Sequence, residues 1–191
     1  MMRIKVVVAI VVMLSISCQN ETEDARLSWI QNIDRLVSEY NKEAKIEHSE
    51  TIVEGKLETG IIFYKKNMNG ISRVTAASRF SENFPVKMEV YVKNDNIIMR
   101  RFSGLSPYIS KTRKREGDRC CALFENVTYF NSNTEVVLFE KKLDLMSTEE
   151  MDSRRSEFES MVFTETLIEN PEEEYEQAME SLKEFKDHIK K

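Results

Sequence analysis

The sequence predicts an α+β fold, an antiparallel meander sheet of about six strands packed against an N-terminal helix and C-terminal helices. Two observations carry this. Between Leu57 and Lys142, runs rich in valine, isoleucine, phenylalanine and tyrosine are broken by asparagine and glycine turns. FYKKNMNGISRV (Phe63 to Val74), VYVKNDNIIMRRF (Val90 to Phe102) and VTYFNSNTEVVLF (Val127 to Phe139) share one outline: an aromatic strand end, an Asn-bearing tip and a second aliphatic strand. Each reads as a hairpin, and consecutive hairpins with a common apolar face form one sheet that must bury that face against another layer. On either side of this region, apolar residues recur at steps of three and four, the spacing of amphipathic helices. A composition of 41% hydrophobic and 32% charged residues belongs to a folded chain and excludes a disordered one.

The chain opens with MMRIKVVVAIVVMLSISC, a basic start, an apolar run from Val6 to Leu14, and small residues before a cysteine. This is the pattern of a secretory signal, and the run is too short to span a bilayer as a stable helix. Removing residues 1–17 leaves 174, enough to bury a core without disulfides or metals, as a single domain over 25–191 behind a tether over 18–24. Arg3 and Lys5 leave with the signal, so the formal charge moves from −5 to −7. An acidic chain repels a phosphate backbone, and nucleic acid is not an expected partner.

Leu14-Ser15-Ile16-Ser17-Cys18 resembles the lipobox of bacterial lipoproteins, with Ser15 standing where an aliphatic residue is usual. Gln19 to Asp24 resembles the acidic tether of the Bacteroidetes type. The box itself covers only the first eighteen residues. It implies lipidation at Cys18, palmitate included, and an anchor in the cell envelope, on the periplasmic or surface face of the outer membrane.

From Thr22 to Ala44, Leu27, Ile30, Ile33, Val37 and Tyr40 form one stripe, widened by Trp29 and Leu36. Its polar side is acidic, which excludes an interfacial membrane helix, and the helix is expected to cover the sheet with Trp29 in the core. Next come an edge strand at Thr51 to Val53, a turn at Gly55, and strands Leu57 to Tyr64 and Ile71 to Ala76. A loop follows from Ala77 to Pro85. Val86, Met88, Val90 and Val92 then alternate with polar residues up to the turn Lys93 to Asn96. In the return strand both Ile98, Arg100, Phe102 and Ile97, Met99, Arg101 include apolar members, so alternation does not name its buried face.

Ser103 to Cys121 reads as an irregular loop. Lys111, Arg113, Lys114, Arg115 and Arg119 make it strongly basic in an acidic protein, which suits an anionic partner such as a phosphate, a polysaccharide carboxylate or a membrane headgroup. The same charges also suit a solvated loop pairing with acidic helices. Cys120 and Cys121 have three open readings: inert thiols, a strained vicinal disulfide, or intermolecular and redox chemistry. With His48 and His188 remote in sequence, no four-ligand zinc pattern forms and no metal is expected.

Ser147, with Glu150 three residues on, reads as the start of a helix reaching Met161. Phe163 to Ile168 fits either more helix or a last strand. Asn170-Pro171-Glu172-Glu173 begins a final helix to Ile189 that buries Tyr175, Ala178, Met179, Leu182, Phe185 and Ile189, its acidic start and basic end matching the helix dipole. No nucleophile elbow, zinc-protease, phosphate-loop or calcium-loop motif is present, and no cofactor is expected. The expectation is a lipid-anchored envelope binding or structural protein with an envelope protein or a glycan as partner. The alternatives are an anionic-ligand or membrane-surface module using the 111–119 loop, and an envelope hydrolase.

Overall fold

Alternating strands joined by asparagine turns fold into one antiparallel sheet whose spatial order is the order of the chain. The computed structural model describes residues 24–54, 57–79, 84–107 and 120–189. Helix α1 covers residues 24–43. The strands are β1 (Ile46–Glu54), β2 (Leu57–Tyr64), β3 (Ile71–Arg79), β4 (Pro85–Lys93), β5 (Asn96–Pro107), β6 (Cys121–Asn131), β7 (Glu135–Leu145) and β8 (Thr164–Leu167). Short helices α2 (Glu150–Ser153) and α3 (Arg155–Ser160) lie between β7 and β8, and α4 (Pro171–Ile189) follows. The α+β class and the meander are as expected, but the sheet has eight strands and not six. The two extra strands are its edges. Both are polar, Glu47 to Glu50 in one and Thr164 to Thr166 in the other, and an edge strand needs backbone pairing on one side more than apolar content.

Two compact units are present, Met1–Glu39 and Tyr40–Lys191. In the first, α1 buries Ile30, Ile33, Leu36 and Val37, while Trp29 is half-buried and Leu27 exposed. Arg35 bridges Glu39 one turn along at 2.9 Å.

In the second unit the tips follow the turn chemistry. Asn94 and Asp95 both take positive φ (49° and 67°), which makes a two-residue hairpin turn whose twist matches the strands. At the β2–β3 tip, Asn67 Oδ1 accepts from the amides of Asn69 and Ile71, each at 3.0 Å. A bulge resolves the ambiguous return strand: Tyr91 pairs with Met99 but Val92 with Ile97, so Ile98 is the extra residue. Ile97 thus joins the face of Arg100 and Phe102, opposite Met99.

That face carries the larger core. Ile61, Phe63, Val74, Val90, Val92, Ile97, Phe130 and Val136 pack under Ala178 and Leu182 of α4, with Tyr175, Met179 and Phe185 flanking them. On the opposite face, at the sheet end away from the asparagine tips, Leu105, Leu123, Leu143, Cys121 and Leu145 form a second core with Met151 and Phe158. The register pairs Leu105, Leu123 and Leu143 across three strands. This is why Ser103 to Pro107 is strand β5 and not part of an irregular loop.

One helix was expected from Ser147 to Met161, and two short pieces form. The break is Arg154 (φ −99°, ψ 4°), whose guanidinium donates to Asp144 O at 2.9 Å and pairs with Glu157 at 2.8 Å. Ser147 is not the N-cap, and the Glu150 carboxylate accepts instead from the Met146 amide at 3.1 Å.

Tyr40 is fully buried, donates its hydroxyl to Lys65 O at 2.9 Å, and meets the Tyr91 ring edge-on at 6.3 Å. Burial raises its phenol pKa above the usual value, and the nearby Arg73 charge only partly opposes this. The folded state therefore holds a proton that the unfolded chain loses, so this stability is complete below about pH 10 and declines as pH rises toward the folded pKa. Tyr40→Phe should cost about 1 kcal/mol at neutral pH. In denaturant titrations the gap to wild type should narrow above about pH 10, and parallel curves across that range would refute the assignment.

Candidate functional site

Helix α4 covers only part of its sheet face. Its first turns are fixed near the asparagine tips: Glu174 pairs with Arg100, Tyr175 donates its hydroxyl to Asn96 Oδ1 at 3.1 Å, and the Tyr175 ring packs on Phe130. Arg100 also lies over the Phe130 ring at 5.9 Å. Beyond Arg100, the face continues across β5 to β8 and forms an open cavity of about 530 Å³. No residue of α4 lines it.

Register explains its shape. Phe102, Asn126, Glu140 and Thr164 stand side by side across four strands. In the next row Gly104, Phe124 and Lys142 are neighbours, and Ser106, Ala122 and Asp144 come after. Gly104 offers no side chain beside Phe124, so the Phe124 ring meets Phe102 diagonally, 5.0 Å between centroids at 61°. Small Ala122 and Ser106 leave the hollow, and Met161 and Val162 raise its outer wall as the chain leaves α3 for β8. Val162 is 88% exposed, a large apolar side chain held in solvent at the rim.

Polar groups converge on this apolar floor. Among the described residues, the Asn126 carboxamide and the Glu140 carboxylate have no hydrogen-bond or ion partner. Lys142 lies 3.9 Å from Asp144. A concave, largely apolar surface with a few convergent polar groups is the usual form of a small-ligand site. Among the described residues Glu140 is the one carboxylate in its lining.

The opposite face holds a different polar arrangement. Glu125 receives Arg101 and Lys141, each at 3.2 Å, while Glu89 receives Lys87 at 3.1 Å and Arg73 at 3.6 Å. The Lys141 ammonium also sits 4.7 Å from the ring centres of both Phe158 and Phe163. These ion pairs tie neighbouring strands together, while the buried Nε atoms of Arg73 and Arg101 make no hydrogen bond.

No protein-family model, curated protein or solved structure matches this chain. Its functional reading therefore rests on its own geometry.

Of the residues singled out from sequence, Cys18, Lys111, Arg113, Lys114, Arg115 and Arg119 lie outside the described residues. The ends of that basic segment are described. Pro107 pairs with Cys121, one step beyond the Ser106–Ala122 pair in the cavity. Cys120 and Cys121 are both thiols: Cys121 is buried in the second core, and half-buried Cys120 packs against it while donating its amide to Leu145 O at 2.9 Å. Among the described residues no group of His, Cys, Asp and Glu side chains is arranged to hold a metal, and no helix is long and apolar enough to cross a membrane. Sequence reasoning missed Phe102, Phe124, Asn126 and Glu140. The alternation Phe124-Glu125-Asn126 does place a ring and an amide on one face, but nothing in it says that α4 stops short of them.

Proposed function

We propose that this protein is a lipid-anchored ligand-binding protein of the cell envelope. The observation that carries the binding half is the cavity beyond Arg100, where Asn126 and Glu140, without partners among the described residues, share a floor with Phe102 and Phe124. Asn126 is half-buried and Glu140 exposed, so water reaches both in the open cavity and both are free to bond a ligand's polar groups. The anchoring half rests on the signal and the lipobox-like run ending at Cys18. A tethered binding protein needs a site open to solvent, and this cavity opens outward beside the exposed Val162.

Two measurements test the halves separately. Radiolabelled palmitate should enter the wild-type chain and be lost on Cys18→Ala, and continued labelling of the variant would defeat the anchor. In amide NMR, a cocktail of small fragments should shift resonances clustered at Phe102, Phe124, Asn126 and Thr164. Shifts scattered over the surface, or none, would defeat the binding site.

A further inference from the structure

We infer that the cavity binds a neutral saccharide. This rests on the binding reading above and adds the chemical class of the ligand. The deciding groups are Asn126 and Glu140. An acyl chain or other wholly apolar ligand would strip both of water and return no hydrogen bond, a net loss at each. A ligand rich in hydroxyls supplies donors to the Glu140 carboxylate and both donors and acceptors to the Asn126 amide, with the Thr164 and Ser106 hydroxyls close by on the same face.

The aromatic pair fits the same class. A pyranose presents one face of polarised C–H bonds and a rim of hydroxyls. The negative face of a phenyl ring attracts the former. Phe102 and Phe124 meet at 61°, not in parallel, so the pair presents more than one ring orientation to a ligand lying across it. Apolar Met161 and Val162 line the same cavity as the polar row, which suits an amphipathic sugar.

Charge selects neutral over acidic sugars. Among the described residues Glu140 has no ion-pair partner, whereas the Lys142 cation is shared with Asp144. A uronate entering here would meet like charge at Glu140 and only a shared cation at the rim.

The test is an amide NMR titration of the purified protein. Its probes are neutral trisaccharides of glucose, galactose, mannose and N-acetylglucosamine, with trigalacturonate and dodecanoate as comparators. At least one neutral trisaccharide should shift Phe102, Asn126 and Glu140, and trigalacturonate should bind more weakly. Asn126→Ala should weaken that binding about tenfold. Phe102→Leu keeps apolar bulk but removes the ring, and a loss of several-fold is expected for a saccharide where an alkyl ligand would be indifferent. Thr164→Val, on an exposed edge strand, gives a second reading should Phe102→Leu disturb folding. Dodecanoate binding at these residues, unaffected by Phe102→Leu and without any trisaccharide shift, would overturn the saccharide and leave the binding site standing. No shift at these residues from any probe would overturn both.

Discussion

Gly104→Ala should lower the unfolding midpoint by roughly 6–12 °C, a loss of about 3 kcal/mol spread over a chain of this size. Gly104 sits at φ +153°, paired with Val86 across β4 and β5. A Cβ there would lie 2.3 Å from Pro85 O and 2.8 Å from Val86 Cα. Both are backbone atoms, so no side-chain rotation relieves the contact and the strands must part. Pro85 begins β4 and has no amide of its own to give, which leaves the local ladder weak where it would be strained. Because Gly104 also makes room for Phe124 to lean on Phe102, parting the strands disturbs the cavity as well. A thermal melt followed by circular dichroism measures the effect, and a shift below about 2 °C would show that the backbone yields without cost.

Lys141→Ala should be nearly as damaging, at roughly 2–3 kcal/mol. The residue is 9% exposed, a rare setting for lysine, and its ammonium has three partners: the Glu125 carboxylate and the rings of Phe158 and Phe163. Removing it leaves Glu125 half-compensated by Arg101, which is why the loss falls below that of a fully orphaned buried charge. Lys141→Met keeps the stem against the rings while discarding the charge, so it should cost less, about 1 kcal/mol. Denaturant unfolding of both variants separates the contributions. Equal losses would mean that packing carries nothing and the ion pair everything. Hydrogen exchange should also quicken at β8, whose approach from α3 runs through Phe163.

The legible part of this fold was the part governed by local chemistry. Asn94-Asp95 and Asn67 announce their turns because asparagine and aspartate tolerate left-handed backbone and cap their own amides. Strands β2 to β7 follow from alternation, and α4 from its proline start and four-residue spacing. The illegible part was governed by what each segment met later. The sequence marked only Thr51 to Val53 of β1 and left β8 open between helix and strand, because their full extent depends on the unpaired backbone edges of β2 and β7, a cause located outside their own residues. Ile97 changed faces through a one-residue bulge, invisible in a pattern apolar on both sides. The expected helix to Met161 broke where Arg154 turned to the Asp144 carbonyl, and no propensity encodes that bond. The cavity was hidden for the same reason. It is defined by where α4 ends its cover, a tertiary fact fixed by Arg100 and Glu174, which lie far apart in sequence.

The order of the strands has a kinetic meaning. Every strand pairs only with its neighbours in the chain, so each hairpin closes a short loop and the sheet can zip from either end without waiting for a distant partner. Sealing does not share that convenience. Ile61 and Phe63 are covered by Ala178 and Leu182, more than one hundred residues later. On the proposed export route, a chain emerging amino end first would build its sheet early and keep that face bare until the last helix arrived. Assembly is sequential while closure is terminal, and in that interval the half-built sheet is most open to sticking to its neighbours.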